Sequence, residues 1–293
     1  MITAPERLLQ RLEWQVLRRL DGRFPGGYRS PRRGSGLDFA GLRPYGEGDD
    51  ARHIDWNVTA RLDEPQVREF LEDRELTSWL VLDRSASMTA GGPGRGKQDV
   101  LTELALVLAR LLGRNGNRVG AVLYDTGATR LVPPGTGRNQ ALRIGRELAR
   151  ATDPRAGATT DLAAMLEVVA SLARRCLVVV ISDLIGTGEW ERPLLRLAHR
   201  NDVVALRVVD DTDDALPAVG LIVVEDAETG EQVLVDSADP WFRARFGEGV
   251  EDREARLRSG TRRAGVPLHL VETRSDLVDS LLAVVTETRW RRR

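Results

Sequence analysis

The chain has 293 residues, of which 42% are hydrophobic and 30% are charged, and its formal net charge is −1. This composition is ordinary for a soluble globular protein, and the length allows one large domain or one domain with an appendage. A net charge this small excludes the protein-wide field that attracts nucleic acid or membranes, so we expect neither as a partner.

Targeting and redox signals are weak. The N-terminal pattern is charged throughout, and no stretch approaches the roughly 20 apolar residues that cross a bilayer, so we expect a cytoplasmic protein without a membrane span. The single cysteine, Cys176, opens an apolar run and excludes a disulfide framework within one chain. Lys97 is the only lysine among 43 basic side chains (Lys plus Arg).

The N-terminal quarter of the chain contains three segments of different composition. Residues 5–20 have the apolar stripe of an amphipathic helix, and the Gly/Arg/Pro-rich segment 22–36 is read as a loop. Residues 37–61 are dense in aromatic, arginine and acidic side chains, and we expect them to follow a fixed but irregular path. We therefore predict an extension at 1–75 that packs on a main domain at 76–293.

From residue 66 onward, apolar runs alternate with helical patterns. Residues 66–83 predict one or two strands, the second ending at Asp83. The remaining predicted strands are 117–125, 129–133 (antiparallel to the preceding one), 176–183, 203–210 and 266–272, with a hairpin at 221–236. The predicted helices are Lys97 to Leu112, 138–151, 160–174, Trp190 to Arg200, 239–264 and a last one from Asp276. This alternation predicts an α/β fold with a doubly wound, mostly parallel, Rossmann-like sheet.

The most informative stretch is TSWLVLDRSASM, Thr77 to Met88, where a buried strand stops in an aspartate and two serines. Asp83, Ser85 and Ser87 occupy alternate positions, so their oxygens can turn toward one point above the sheet edge. A carboxylate with two hydroxyls is a hard oxygen cluster suited to a divalent cation such as Mg²⁺. The plain alternative is a turn followed by a serine that caps a helix.

Two later elements belong with this stretch. The strand VISD ends in Asp183, and if it flanks the same switch point of the sheet the two aspartates converge. Two carboxylates held close together repel unless a cation lies between them. The loop GATTDL at 157–162 opens a helix with Thr160 free to project its hydroxyl, although Thr159 or Thr160 could equally be a plain N-cap.

At this point the chain resembles the von Willebrand factor A-type domain, with its metal-ion-dependent adhesion site. The resemblance covers about 76–290 and implies the sheet order of that domain, with one antiparallel strand. All five positions of the site motif are filled, by Asp83, Ser85, Ser87, Thr160 and Asp183.

The resemblance and the oxygen cluster together assign roles to these residues. Ser85 and Ser87 would bind one divalent cation directly, Mg²⁺ first and Mn²⁺ as the other choice. Asp83 and Asp183 would act mostly through bound water, and Thr160 directly or through water. The ion would keep one position open for an acidic side chain of a partner protein.

A closer resemblance is to the family known as domain of unknown function 58. It rests on GSGLDFAGLRPYGEGDDARHIDWNVTAR at 34–61, the D-x-S-x-S strand, and ETGEQVLVD after an LP-x-x-G turn at 216–220, and it extends over about 28–285. Many members carry two N-terminal membrane helices, a pattern missing from this sequence. Members are often encoded beside MoxR-type AAA+ ATPases, and they are thought to act as adaptors or assembly factors.

Rival motifs are weaker. Residues 91–97 fit G-x-x-x-x-G-K, but Gln98 stands where a P-loop needs Ser or Thr, so a flexible loop is the better interpretation. The histidines are scattered, which gives a Ser/His/Asp triad little support. Three further acids could be imagined as metal ligands, but arginine neighbours favour internal ion pairs. These acids are Asp49, Asp50 and Asp55, and the arginines are Arg43, Arg52 and Arg61.

The sequence therefore predicts a non-enzymatic, metal-dependent protein-interaction module, an adaptor or assembly factor working with a MoxR-type AAA+ ATPase. The first alternative is a metal-dependent hydrolase that uses a cation-activated water, for which no clear general base is present. The second is a purely structural metal.

Overall fold

The structure is a computed structural model that describes residues 3–17, 33–34, 38–47, 49–71, 76–89, 94–125, 128–150, 161–186, 189–214, 217–226 and 229–287. The chain divides into two units. The large unit consists of Met1–Phe24 and Thr77–Arg289, and the small unit of Pro25–Leu76 and Trp290–Arg293.

The elements are numbered in chain order. The strands are β1 Arg33–Gly34, β2 Asp38–Pro44, β3 Gln66–Leu71, β4 Thr77–Asp83, β5 Arg118–Asp125, β6 Ala128–Gly135, β7 Leu177–Ser182, β8 Asp202–Val209, β9 Leu221–Glu225, β10 Gln232–Asp236 and β11 Leu268–Glu272. The α-helices are α1 Ala4–Leu12, α2 Trp56–Leu62, α3 Ala86–Thr89, α4 Lys97–Leu112, α5 Gly137–Leu148, α6 Leu162–Leu172, α7 Glu191–Arg200, α8 Asp211–Asp214, α9 Pro240–Ala264 and α10 Leu277–Glu287.

The large unit is built on a six-stranded sheet in the order β11-β8-β7-β4-β5-β6. Neighbouring strands run parallel except β6, which pairs antiparallel with β5. Helices α1, α4 and α5 pack together on one face, and α6, α7 and α9 on the other. The strand order reverses between β4 and β7, so this pair forms the switch point. The predicted doubly wound, mostly parallel α/β fold is confirmed.

Strand β4 is rigid because it is buried on both faces and paired on both edges. Its side chains from Ser78 to Asp83 are all buried, and it lies between β5 and β7. The Trp79 ring lies directly against Gly120 of β5, where an added Cβ would come within 2.6 Å of the indole. A continuous apolar run of this kind is typical of a central parallel strand. The strand therefore holds its last residue, Asp83, in a fixed position.

Most predicted elements of the large unit agree with the structure within one or two residues, including the helix Lys97–Leu112 and the β5–β6 hairpin. The predicted helix 5–20 is α1 followed by a π-helical turn, Glu13–Leu17; residues 18–20 lie outside the described ranges. Among the described helices, none combines the length and the apolar character that a membrane span requires.

The small unit contains a three-stranded antiparallel sheet in the order β1-β3-β2. The segment 37–61 therefore departs from the irregular path predicted for it, because it contributes strand β2 and most of helix α2. A register shift between Phe39 and Gly41 interrupts the alternation of β2, which hides the strand pattern in the sequence. The prediction that residues 1–75 pack on the main domain stays a prediction.

Ion pairs account for Asp49, Asp50 and Asp55, as expected, with one change of partner. Arg43 binds Asp49, and hydrogen bonds from that guanidinium lower the pKa of Asp49 to about 2. Asp50 accepts hydrogen bonds from Arg52 in the same way. The partner of Asp55 is not Arg61 but an arginine of β3, Arg68, at 2.9 Å. Asp55 caps the start of α2, which directs its free oxygen toward β3 and away from the helix surface.

Candidate metal centre

Asp83 ends β4 with its side chain 0% exposed. One carboxylate oxygen accepts a hydrogen bond from the backbone N–H of Ser85 at 2.9 Å, and this bond starts the turn that leaves the sheet. The other oxygen accepts the hydroxyl of Ser182, from the end of the neighbouring strand β7, at 2.5 Å. The aspartate is therefore held from its own loop and from the adjacent strand.

The two predicted serines lie together beside Asp83. The Ser85 and Ser87 hydroxyl oxygens are 2.9 Å apart, and both side chains are buried. Arg84, between Asp83 and Ser85 in sequence, takes the opposite direction and donates to the backbone carbonyls of Glu147 and Arg150. The alternate spacing thus separates a polar cluster from an arginine that caps the C-terminal end of α5.

Asp183 follows β7 and is also 0% exposed. Its Oδ1 accepts a hydrogen bond from the N–H of Ile185 at 3.0 Å, the same turn geometry as at Asp83. Its backbone carbonyl accepts from Nε of the buried Arg207 at 3.0 Å. Its Oδ2 accepts from Nζ of Lys97 at 3.0 Å. Both carboxylate oxygens and the backbone carbonyl of this aspartate therefore have defined partners.

The two aspartates interact electrostatically, as the sheet order requires. Burial and then the negative charge of Asp183 raise the pKa of Asp83 to about 7, against the opposing effect of hydrogen bonds from Ser182 and Ser85. The negative charge of Asp83 is therefore costly beside that of Asp183, and a positive charge placed nearby would reduce this cost.

Lys97 is the main feature of the site that was not predicted. Its side chain is 2% exposed, and its ammonium bridges Asp183 at 3.0 Å and Asp213 at 2.9 Å. Burial acts to lower the pKa of Lys97, but the two carboxylates outweigh it and the pKa is raised. Lys97 begins α4, as predicted, and its side chain points into the site. Residues 91–93 of the preceding loop lie outside the described ranges. The only indication in the sequence was that Lys97 is the single lysine of the chain.

Thr160 of the predicted threonine loop lies outside the described residues. Its neighbour Asp161 is described, and it caps α6 by accepting from the N–H of Ala164. The pKa of Tyr124, which pairs with Asp83 across β5 and β4, is raised by burial and then by the charges of Asp161 and Asp83. The start of α6 therefore approaches the same part of the sheet edge.

Four further polar residues belong to this network, and none was predicted. Ser182 bonds to Asp83 and Arg207 to Asp183, while Asp213 bonds to Lys97 and Glu254 to Arg207. Arg207 joins the carbonyl of Asp183 to the Glu254 carboxylate on α9, with both contacts made by one buried guanidinium. Their pattern in the sequence is that of ordinary strand and helix residues. Only the tertiary structure brings them to the site.

The donor set fits a small hard dication. Two carboxylates and two adjacent hydroxyls are oxygen donors of the kind that Mg²⁺ and Mn²⁺ prefer. Within the ranges that the structure describes, no group of three or more His, Cys, Asp or Glu side chains is arranged to hold a metal. The candidate centre differs from such a group because serine hydroxyls supply half of its described donors.

Comparisons with known proteins place the chain in a family. Residues 41–256 match the family model described as "Protein of unknown function DUF58". Uncharacterized proteins of Mycobacterium tuberculosis and Mycobacterium bovis are 36% identical over 282 residues, which cover 96% of this chain and 89% of each relative.

Two solved structures show similarity at low sequence identity. An aerotolerance-related membrane protein from Bacteroides fragilis has a TM-score of 0.45 at 14% identity, covering 72% of this chain and 97% of that one. The VWA domain of SpRpn10 has a TM-score of 0.38 at 11% identity, covering 75% and 98%. By the family match and the 36% identity with the mycobacterial proteins, the chain belongs to the DUF58 family.

Proposed function

We propose that this chain is a non-enzymatic protein-interaction module that holds one divalent cation at the β4–β7 switch point. The observation that carries the proposal is the meeting of two buried aspartates beside two buried hydroxyls 2.9 Å apart. The residues that would hold the cation are Asp83, Ser85, Ser87, Thr160 and Asp183. Mg²⁺ is the expected ion, and Mn²⁺ is the alternative.

The hydrogen bonds support different roles for the serines and for the aspartates of this site. The Ser85 and Ser87 hydroxyls bond to each other, so their oxygens lie side by side and can turn toward one cation. The carboxylates of Asp83 and Asp183 already accept protein donors, which suits them to act through water. A bound dication would supply a positive charge with an open position for an acidic side chain of a partner.

The partner is proposed on chemistry and on the family resemblance. An open coordination position on the cation would bind a protein whose exposed aspartate or glutamate reaches the switch point. The family resemblance points to a MoxR-type AAA+ ATPase, with this chain as its adaptor or assembly factor.

A metal-dependent hydrolase is the second candidate, and one observation favours it. An aspartate with a pKa of about 7 is matched to general-base chemistry at neutral pH. Against this, the Asp83 side chain is fully buried and both its oxygens accept hydrogen bonds from the protein. Turnover of phosphoester or peptide substrates that requires Mn²⁺ and is lost in Asp83→Asn would favour the enzyme.

The interaction proposal is tested by capture of partners from the native host in Mg²⁺ and in EDTA. We expect an acidic partner to be retained in Mg²⁺ and released in EDTA, and to be lost from Ser85→Ala. Losing a central contact weakens binding by about thirtyfold or more. Ser171→Ala, on the exposed surface of α6, is the matched control and should retain the partner.

Circular dichroism on the eluted protein separates loss of binding from loss of fold. A folded protein that keeps its partner equally in EDTA and in Ser85→Ala would contradict the proposal and place the binding surface elsewhere.

A further inference from the structure

The Lys97 ammonium is enclosed by carboxylates at the candidate metal centre. Its Nζ is 3.0 Å from Oδ2 of Asp183 and 2.9 Å from Oδ1 of Asp213. The three side chains are 2%, 0% and 13% exposed, so water screens these contacts weakly. A full positive charge is thus built into the site that is proposed to receive a cation.

The backbone that carries Lys97 is anchored on both sides. Asp99 closes the start of α4 by accepting the N–H of Gly96 at 3.0 Å. Arg95 binds Glu103 on α4 and the backbone carbonyls of Thr273 and Ser275, from the end of β11. These contacts tie the start of α4, and with it the backbone of Lys97, to the end of β11.

The position of Lys97 is unfavourable for a helix and is explained only by its partners. Lys97 is the first residue of α4, and a cation at a helix N-terminus opposes the helix dipole. The choice of lysine also stands out, since the other basic side chains are all arginine. An ammonium is a compact charge, whereas a guanidinium is a planar fork that needs more space and more acceptors.

We propose that Lys97 is an internal counter-cation of this centre, which neutralises Asp183 and weakens the binding of the divalent cation. This inference rests on the proposed function, because it assumes that the switch point binds a metal. Lys97 is a positioning residue in this role: it acts on the ion through Asp183 and through its own charge.

The charge balance gives the expected direction of each change. Asp83, Asp183 and Asp213 carry three negative charges when ionised, and Lys97 with one dication would balance them. Removing the ammonium leaves an excess negative charge that attracts the ion more strongly. Removing the charge of Asp213 leaves the ammonium to act on Asp183 alone, and this opposes the ion.

The test is calorimetric titration of Mg²⁺ into the full chain and two variants. We expect Lys97→Met to bind Mg²⁺ at least tenfold more tightly than the wild type. We expect Asp213→Asn to bind it more weakly. A general loosening of the site would move both variants in the same direction, so the opposite signs identify the counter-cation role.

A stability measurement accompanies the titration. In EDTA, Lys97→Met should melt at a lower temperature than the wild type, because Asp183 loses its buried partner, and Mg²⁺ should restore most of the loss. If this variant fails to fold, the double variant Lys97→Met with Asp213→Asn removes one charge of each sign and serves in its place. It should still bind Mg²⁺ more tightly than Asp213→Asn alone.

Isotope labelling of the lysine side-chain carbons gives a nuclear magnetic resonance readout on Lys97 itself. Because the chain has one lysine, the spectrum contains one set of lysine signals. We expect the ε-methylene signal to shift on addition of Mg²⁺ in the wild type and to stay in place in Ser85→Ala.

The outcomes separate the two proposals. If the wild type binds Mg²⁺, Ser85→Ala does not, and Lys97→Met binds no more tightly than the wild type, the counter-cation role is overturned while the metal site stands. If no variant binds Mg²⁺ or Mn²⁺ at millimolar concentration, both proposals fall. An increase in affinity for Asp213→Asn equal to that for Lys97→Met would also overturn the role of Lys97.

Discussion

Asp83 and Asp183 are fixed by the same local arrangement at the ends of adjacent strands. In each case the carboxylate accepts the N–H of the residue two positions later, so the chain turns away from the sheet while the second oxygen stays over its edge. Two rigid strands thus deliver two carboxylates to one place. The cost of this arrangement is visible in the raised pKa of Asp83.

That raised pKa predicts how stability depends on pH in EDTA. Between the ordinary aspartate pKa of 3.8 and about 7, the folded state holds a proton at Asp83 that the unfolded state releases. The unfolding free energy should therefore fall as pH rises through this window, with Asp83 contributing roughly a kcal/mol per pH unit, and level off above it.

Asp83→Asn is the matched variant, since its amide keeps the shape and can bond to Ser85 and Ser182. The other titrating groups contribute to both proteins, so the difference between wild type and variant isolates Asp83. Urea unfolding from pH 4 to pH 8 should show the wild-type stability falling relative to the variant. Parallel pH profiles for the two proteins would show that burial of Asp83 does not raise its pKa.

Sequence distance explains which site residues could be predicted. Asp83, Ser85 and Ser87 form a local pattern, and Asp183 likewise follows an apolar run, at the end of β7, which lies beside β4 in the sheet. Lys97 has partners 86 and 116 positions away, and no periodic or spacing rule connects them.

At the scale of elements, the position of the site also depends on helix α9, which supplies none of its proposed metal ligands. Arg207 of β8 bonds to the backbone carbonyl of Asp183 and to Glu254, so helix α9 supports the loop after β7. Helix α9 is itself held against α7, where Gly260 allows close contact with the ring of Trp190. The packing of α9 is therefore a condition for the position of Asp183.

Two glycines of α9 test this contact with the same substitution. A Cβ at Gly260 would come within 2.5 Å of the Trp190 ring, which is buried in the core. Gly260→Ala should lower the unfolding free energy by about 1–3 kcal/mol. Gly249→Ala has no atom within 4 Å of the new Cβ and should raise it by about 0.5–1 kcal/mol.

Urea unfolding followed by circular dichroism measures both changes. Equal effects of the two substitutions would show that the contact with Trp190 does not constrain the helix.

Element prediction succeeded where hydrophobic periodicity was unbroken. The central strands are continuous apolar runs and the large helices have clear stripes, so β4, β7 and α4 agree closely with the structure. Prediction failed in 37–61, where the register shift of β2 interrupts the two-residue period. The mostly parallel sheet followed from the alternation of elements, whereas the strand order was expected only from the family resemblance. Which helix carries which contact was not predicted.

At the scale of the whole molecule, the carboxyl edge of the sheet collects acids that the net charge of −1 conceals. Strands β4 and β5 end in Asp83 and Asp125, and β7 and β8 are followed by Asp183 and Asp210. In an open doubly wound sheet, ligands bind at this edge, beside the switch point. Lys97 offsets the charge of Asp183, and Arg84, 3.9 Å from Asp125, offsets another. The remaining acids would favour a positively charged ligand, and the buried serines a small hard one.

Anomalous diffraction from crystals grown with Mn²⁺ tests the central claim most directly. The proposed site predicts an anomalous peak within about 2.5 Å of the Ser85 and Ser87 hydroxyl oxygens in the wild-type chain. Crystals of Ser85→Ala grown in the same solution should lack that peak while keeping the fold. A strong Mn²⁺ peak elsewhere with none at these serines, or an unchanged peak in Ser85→Ala, would contradict the assignment of the switch point as a metal centre.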